Sequence, residues 1–324
     1  MVDLGLSLIS EEHGPNELID AAARAEDAGF EFALVSDHFH PWLSEQGESP
    51  FVWSTLGGIA RETSDLRVGT GVTCPLFRIH PANVAQAAAT AATMHPGEFF
   101  LGVGTGENLN EHVLGDHFPP QDRRLARLEE AVEVIRGLWE GETYSHHGEF
   151  YTVENARLYT VPDDPPPIHV AAGGPQAADA ASRIGDGLIS TAPKGDLVER
   201  FSNGGDGKWN GTRDRPAYGQ VTVCWAPSER EARRTAHEQW RQTALPGELG
   251  QVLPTPAHFE QATEMIDVDD VASTVTCGPD PDDHIEMIDE YVEAGYDSVS
   301  VHQVGPDLGP AIEFYEESVL PSFD

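Results

Sequence analysis

Several residue types are scarce in this chain, and each scarcity argues against a class of protein. Only Lys194 and Lys208 are lysine among the 324 residues. The three cysteines, Cys74, Cys224 and Cys277, stand far apart without CxxC spacing, which indicates neither a disulfide framework nor a cysteine zinc site. No apolar run reaches the roughly 18 residues of a membrane span. The first residues do not resemble a signal peptide, so we expect a protein of the reducing cytoplasm.

Acidic residues greatly outnumber basic ones. The chain has 55 aspartates and glutamates against 19 lysines and arginines, a net charge of −36, and the acids are spread along its length. With 39% hydrophobic residues it is too apolar for a disordered acidic segment. The pattern is typical of folded, halophilic proteins whose acidic surface is screened by salt. Because such a field repels anions, we expect neither nucleic acid nor an anionic membrane as a partner.

Short apolar runs alternate with amphipathic segments along the chain. Eight strands alternating with helices predict a parallel sheet. The early GxGxxG motif of a doubly wound nucleotide-binding fold is absent. We therefore predict a single-domain (β/α)₈ TIM barrel over 1–324. The predicted strands are 4–9, 32–36, 66–72, 99–103, 168–172, 187–191, 220–225 and 298–302.

Helical periodicity and capping signals fill the intervals between these strands. Proline in the first turn and glycine after the last turn mark several helix ends. The predicted helices are 16–28, 50–62, 81–94, 122–139, one beginning at 175, 228–242, 282–294 and 310–318. Irregular insertions are expected at 141–166 and 243–265, and a mobile loop at 202–216.

Polar and glycine-rich clusters follow five successive predicted strands. In a barrel the carboxyl ends of the strands share one rim, where active sites form. These clusters therefore predict a site at that rim. They are 37–42, 71–75, 102–110, 172–175 and 191–194.

Each cluster has a functional and a structural interpretation. His38 is either a base, with Asp37 orienting its ring, or a hydrogen-bonded rim residue. With His40 it forms an HxH pair, an incomplete metal site. Glu107 is either an acid whose pKa is raised by burial or a surface carboxylate. The turn and helix start at 172–175 either bind a phosphate or form an ordinary turn between a strand and a helix. Lys194 either binds an anionic ligand or has no ligand.

Four segments together resemble the luciferase-like flavin and deazaflavin oxidoreductases. They are SDHFHPW, LGVGTGENLNE, the pattern from Arg127 to Trp139, and AAGGP. The chain most resembles the coenzyme F420-dependent glucose-6-phosphate dehydrogenase family. The similarity is good over residues 1–200 and loose over the remainder. The resemblance implies a luciferase-like barrel, bound F420, hydride transfer to or from a small alcohol, carbonyl or sugar, and a homodimer.

The resemblance also implies roles for individual residues. His38 is the expected base, Glu107 its acid partner, and Trp42 an aromatic wall at the reacting carbon. The family carries a non-proline cis peptide where this chain has Gly71 and Val72. The expected cofactor-binding residues are Asp37, Gly71, Val72, Cys74, Thr105, Gly106, Asn110, Gly173, Gly174 and Pro175. The expected substrate-binding residues are Glu11, Thr191 and Lys194.

The chain departs from the family where the sugar phosphate binds. Gly250, Gln251 and Thr274 align where a lysine, a histidine and an arginine are expected, and only Lys194 has a clear counterpart. Losing such cations is not conservative, so glucose 6-phosphate is not the expected substrate. Gly71 and Cys74 also replace hydroxyl residues near the cofactor.

Three alternatives stay open. One is an FMN-dependent monooxygenase on the same fold, and another is a non-catalytic flavin-binding relative. The last is a metal-dependent hydrolase that uses His38 and His40.

Overall fold

A computed structural model of the chain describes residues 2–204, 215–306 and 308–323. Eight parallel strands pair in sequence order, and the eighth pairs with the first, so the sheet closes into a barrel. This closure confirms the predicted (β/α)₈ fold. The strands are β1 Asp3–Leu8, β2 Phe32–Val35, β3 Arg67–Thr70, β4 Phe99–Val103, β5 Ile168–Ala171, β6 Gly187–Ser190, β7 Ala217–Cys224 and β8 Ser298–Gln303.

Helices surround the barrel, and their ends follow the local sequence signals. Proline is the first residue of five of the described α-helices, and Gly29 ends the first at φ 97°. The helices are α1 Pro15–Ala28, α2 Val52–Glu62, α3 Pro81–Met94, α4 Asn108–Glu111, α5 Gln121–Trp139, α6 Pro175–Ile184, α7 Gly195–Asn203, α8 Glu229–Trp240, α9 Leu249–Val252, α10 Pro256–Ala262, α11 Val268–Ala272, α12 Pro281–Glu293 and α13 Leu308–Ser318, with 3₁₀ turns at His112–Leu114, Arg241–Ala244 and Leu320–Ser322.

Bulky rings fill the barrel interior, and glycine on the neighbouring strand makes room for them. A Cβ atom at Gly69 would overlap the ring of Phe100, and one at Gly5 would lie 2.5 Å from the ring of Phe32. Val72 packs against this interior cluster. The barrel is therefore a packed core that supports the loops at its carboxyl rim.

The first predicted insertion is more ordered than its sequence suggested. Within 141–166, Tyr144–His147 and Thr152–Ala156 form an antiparallel hairpin. Glu130 of α5 accepts hydrogen bonds from the three backbone amides of 149–151, at 2.8 to 3.1 Å. The expectation of irregular structure was wrong here, because the carboxylate of a neighbouring helix organises the turn.

The second insertion, 243–265, was also wrongly expected to be irregular, since it contains α9 and α10. A short strand, Thr276–Cys277, adds to β7 and was not predicted. Most of the predicted mobile loop, 202–216, lies outside the described residues. None of the helices in the described ranges is long and apolar enough to cross a membrane.

Candidate active site

An imidazole–carboxylate pair lies at the carboxyl rim between β1 and β2. His38 Nδ1 contacts Glu11 Oε1, and the Glu11 side chain is fully buried. The other carboxylate oxygen, Oε2, accepts a hydrogen bond of 2.6 Å from Ser36 Oγ. Because the carboxylate faces Nδ1, the proton of the neutral imidazole is held there and Nε2 is the basic nitrogen.

The pair is charged at neutral pH. Burial by itself lowers the pKa of His38, but the charge and hydrogen bond of Glu11, with Glu107 and Asp37, outweigh burial and raise the pKa to about 9. Burial raises the pKa of Glu11, yet His38 and Ser36 outweigh it and hold that pKa below its usual value.

Trp42 joins this pair to a second carboxyl group. Its ring meets that of His38 edge-on, with 4.5 Å between centroids. Trp42 also lies close to Glu107, whose pKa is raised by burial against the opposing effects of the His38 charge and of Trp42. Glu107 Oε2 is buried and has no hydrogen-bond partner. The structure thus places all three residues predicted to be catalytic side by side.

Asp37 does not orient the imidazole, which corrects one interpretation of the sequence. Its two carboxylate oxygens accept hydrogen bonds of 2.7 Å from Arg78 Nη2 and from Thr73 Oγ1. Both donors belong to the loop after β3. Glu11 takes the orienting position instead, and its expected contact with substrate stays a prediction.

The loops after β3 and β4 pack tightly against each other. The Gly71–Val72 peptide bond is cis, which confirms the expectation from the resemblance. A Cβ atom at Gly104 would lie 2.8 Å from Val72 Cγ2. Gly106 has a φ of 71°, and a Cβ atom there would lie 2.6 Å from Cys74 Sγ. These glycines let the two loops approach beneath the rim.

Asn110 links the loops after β2 and β4. Its Oδ1 accepts hydrogen bonds from the amides of Phe39 and His40, at 2.9 and 3.1 Å. His40 Nδ1 lies 3.0 Å from the carbonyl oxygen of Leu109, whereas His38 faces Glu11. The two histidines therefore use different partners, and the described residues contain no group of three potential metal ligands.

The loops after β5 and β6 form a more open corner. A Cβ atom at Gly173 or Gly174 would meet nothing within 4 Å, and Gly174 caps the N-terminus of α6. Lys194 Nζ lies 3.4 Å from the carbonyl oxygen of Gly173. Free amides, a helix N-terminus and a cation together suit an anionic group. The other predicted residues of these rim loops, half-buried Thr105 and exposed Pro175 and Thr191, also follow strand ends.

Sequence reasoning missed several residues that build the site. Ser36 looked like the last residue of a strand, and Ser10 had no motif around it. Arg78 offered a signal, because it is a rare cation close after the third strand. Trp240 offered none, since it comes from α8 to meet Trp42 with 5.1 Å between ring centroids.

Comparison with known proteins points to one family. A family model described as luciferase-like monooxygenase matches residues 3–298. An F420-dependent hydroxymycolic acid dehydrogenase of Mycobacterium tuberculosis is 38% identical over 98% of this chain and 87% of the relative. An F420-dependent glucose-6-phosphate dehydrogenase of Mycobacterium avium is 35% identical over 98% of this chain and 97% of the relative.

A solved structure agrees with this match. An F420-dependent secondary alcohol dehydrogenase in complex with an F420–acetone adduct has a TM-score of 0.91 at 27% identity, covering 100% of this chain and 99% of that one. The fold and the sequence matches lead to the same assignment. The chain therefore belongs to the luciferase-like monooxygenase family, whose matches to this chain include F420-dependent dehydrogenases.

Proposed function

We propose that the chain is a coenzyme F420-dependent dehydrogenase that moves a hydride between the deazaflavin and the carbinol carbon of a small, uncharged alcohol. The observation that carries this proposal is the meeting of the His38–Glu11 pair with Glu107 through Trp42 at the barrel rim. The sequence relatives at 38% and 35% identity are F420-dependent dehydrogenases, which favours this function over an FMN-dependent monooxygenase.

The residues at the rim fit such a cofactor. Gly173 and Gly174 leave open space at the start of α6, and Lys194 lies beside them, so this corner would hold an anionic part of the cofactor. Val72 and Gly106 would lie against its ring. When bound, F420 supplies the position that accepts or gives the hydride.

The chain's own groups would then move the proton. His38 Nε2 takes the hydroxyl proton of the alcohol, because Glu11 holds the ring proton at Nδ1 and stabilises the cation that forms. In the opposite direction protonated His38 returns that proton to the carbonyl oxygen. Glu107 holds a proton closer to neutral pH than an exposed carboxyl group would, and Trp42 shields both groups from water.

The substrate side of the site argues against a phosphate. Where the glucose-6-phosphate enzymes are expected to carry cations, Gln251 only accepts a hydrogen bond from Arg124, and Thr274 bonds a carbonyl oxygen within its own turn. Arg78 is committed to Asp37. Trp42 instead packs with an apolar cluster made of Leu43, Leu109, Leu245, Leu253 and Phe259. An uncharged alcohol with an apolar substituent therefore fits best.

A direct assay separates these possibilities. The protein is purified in high salt, mixed with F420 and screened with short secondary alcohols and with glucose 6-phosphate, following the absorbance of the oxidised deazaflavin. We expect the uncharged alcohols to deplete that absorbance and glucose 6-phosphate to be inert. Turnover of glucose 6-phosphate with comparable kcat/KM would contradict the proposed substrate. Failure of every alcohol and carbonyl compound would contradict the proposed function.

We also propose a homodimer formed through α2 and α3. The 14 residues of α3 include no charged side chain, although charged residues make up 23% of the whole chain. Between the two helices lies a groove of about 280 Å³ bordered by Trp53, Gly57, Ala87 and Met94, and the Met94 side chain is exposed. An uncharged, partly apolar face on a strongly acidic protein fits a covered surface, where like charges would repel.

The oligomeric state tests this surface. Ala87→Glu should convert a dimer to a monomer in light scattering after gel filtration, because a carboxylate would be buried in the contact. Gln261→Glu, on the exposed side of α10, adds the same charge elsewhere and should leave the dimer intact. A dimer in Ala87→Glu would refute this face as the interface.

A further inference from the structure

We infer that the buried hydroxyl groups of Ser36 and Ser10 are positioning groups for the base: they keep Glu11 ionised and turn its carboxylate toward His38. The inference rests on the proposed function, since it concerns the same proton transfer. Ser10 lies outside the segments that carry the family resemblance, and Ser36, although it begins the segment SDHFHPW, has no role implied by that resemblance. Their importance comes from what they contact.

The two serines connect the loops that carry the pair. Ser10 precedes Glu11 after β1, and Ser36 lies two residues before His38 after β2. The Ser10 amide donates to Ser36 Oγ at 2.8 Å, and the two hydroxyl oxygens lie 2.7 Å apart. The exposed fraction is 1% for Ser10 and 5% for Ser36, so water does not replace these contacts.

The direction of the chain of hydrogen bonds follows from its donors. Ser36 Oγ already accepts a hydrogen bond from the Ser10 amide, and it donates its own proton in a hydrogen bond to Glu11 Oε2 at 2.6 Å. Ser10 Oγ lies 3.3 Å from the same carboxylate oxygen and 3.2 Å from the Ser36 carbonyl oxygen. Ser36 therefore donates to Oε2, with Ser10 Oγ within reach of the same oxygen, which leaves Oε1 for His38 Nδ1. Donors on a buried carboxylate favour its ionised form.

Fixing the carboxylate also fixes the ring. A Glu11 side chain held at both oxygens keeps the imidazole proton on Nδ1, so Nε2 stays unprotonated in the neutral ring and points in one direction. Without the serine hydroxyls the carboxylate loses a bond that opposes its protonation and its rotation. Chemistry that needs Nε2 as base or acid should then slow, while binding of substrate changes little.

The test removes the Ser36 hydroxyl and measures directly which nitrogen of the His38 ring carries the proton. In protein without cofactor, ¹⁵N NMR of the neutral imidazole should show His38 as the Nδ1–H tautomer in the wild type and as a mixture in Ser36→Ala. In carbonyl reduction, kcat is expected to fall at low pH where Glu11 becomes protonated. In Ser36→Ala this acid limb should move up by about one pH unit, while kcat falls about tenfold and KM changes little. An unchanged tautomer and an unchanged acid limb would overturn the inference.

Matched variants separate positioning from packing. Ser300→Ala removes a buried hydroxyl that bonds the Gly219 carbonyl oxygen in the barrel, and it should leave both readouts unchanged. Ser36→Thr restores a hydroxyl and should recover the wild-type tautomer. Should Ser36→Ala not fold, Ser36→Cys keeps the volume with only a weak donor and must show the same shifts. Because the NMR readout needs no F420, it decides the inference even if the wild type turns over no alcohol.

Discussion

Burial and neighbouring charges act on the pKa of His38 in opposite directions. Burial disfavours its charge, whereas Glu11, Glu107 and Asp37 favour it and raise its pKa to about 9. In the proposed oxidation the ring must be neutral before it accepts the hydroxyl proton. In the proposed reduction it must be protonated. The two directions of the reaction should therefore respond to pH in opposite ways.

The expected pH profiles follow from the protonation state of His38 that each direction requires. We expect kcat/KM for alcohol oxidation to rise from pH 7 and to level off above a pKa of about 9, while kcat/KM for carbonyl reduction falls over the same range. Steady-state rates in both directions measure this. An oxidation rate that is flat across the same range would contradict the assignment of His38 as base.

Glu12 is a second buried carboxyl group next to Glu11. Burial raises its pKa to about 8 and the Glu11 charge adds to this rise, although a hydrogen bond from the Gly305 amide and the nearby Gln46 side chain oppose it. The folded state thus binds this proton more tightly than the unfolded chain. Its contribution to stability is complete below the usual value of 4.5, declines as pH rises, and is lost above about 8.

Glu12→Gln should remove that pH dependence, because the amide stays neutral. Relative to wild type, the variant's free energy of unfolding should increase between about pH 5 and about pH 8.5, as measured by urea unfolding. Glu199→Gln, at an exposed site, serves as the control and should follow the wild type. A constant difference between Glu12→Gln and wild type would mean that Glu12 is ionised throughout.

The residues that carry chemistry were only partly visible in the sequence. His38, Trp42 and Glu107 stand in recognisable segments, and the structure brings them together. The choice between Asp37 and Glu11 as partner of the imidazole was not visible. Both carboxyl groups follow strand ends, and only the packed loops decide which one the ring faces.

At the level of elements, tight packing between the loops after β3 and β4 shapes the rim. Gly106→Ala would place a Cβ atom 2.6 Å from Cys74 Sγ and 2.8 Å from Glu111 Cγ, at a φ of 71°. Both the backbone and the neighbouring loop would have to move. We expect a loss of about 2 kcal/mol in the free energy of unfolding and weaker binding of F420.

Gly115→Ala provides the matched control for that substitution. Its φ is 89°, but a Cβ atom there would meet nothing within 4 Å. It carries the backbone cost without the clash, so it should lose stability while F420 affinity is kept. Urea unfolding and a fluorescence titration of F420 measure the two effects. Equal losses of affinity in both variants would show that packing at Gly106 does not shape the cofactor site.

Most elements were predictable because they obey local rules. Strand β4 and helix α3 lie where the sequence predicted them, one as an apolar run and the other begun by a proline. The hairpin at Tyr144–His147 and Thr152–Ala156 was missed because its side chains are mostly polar and half-exposed or exposed. Strands held by a carboxylate from another element leave no apolar run to find.

For the whole molecule, the alternation of eight strands with helices was sufficient to predict a barrel, but not which loops touch across its rim. The net charge is also a property of the whole molecule. A net charge of −36 on 324 residues repels itself in the folded state more than in the expanded chain. Salt shortens the range of that repulsion to a few ångströms at molar concentration.

We therefore expect stability to rise with salt. The midpoint of thermal unfolding should increase strongly between about 0.1 M and about 3 M KCl, because screening acts mainly on the compact state. Sucrose at matched osmolality controls for effects other than screening and should raise the midpoint less. A midpoint that falls or stays constant with KCl would contradict the halophilic interpretation of the surface.

The central claim is that His38, as base for the hydroxyl proton, and Glu107, as its acid partner, serve the same hydride transfer beside bound F420. It is tested most directly by measuring F420 affinity and alcohol turnover together in His38→Gln and Glu107→Gln. The account predicts near wild-type dissociation constants with turnover reduced about 100-fold or more in each, and a double variant hardly slower than the worse single one. Wild-type turnover in either single variant would contradict it.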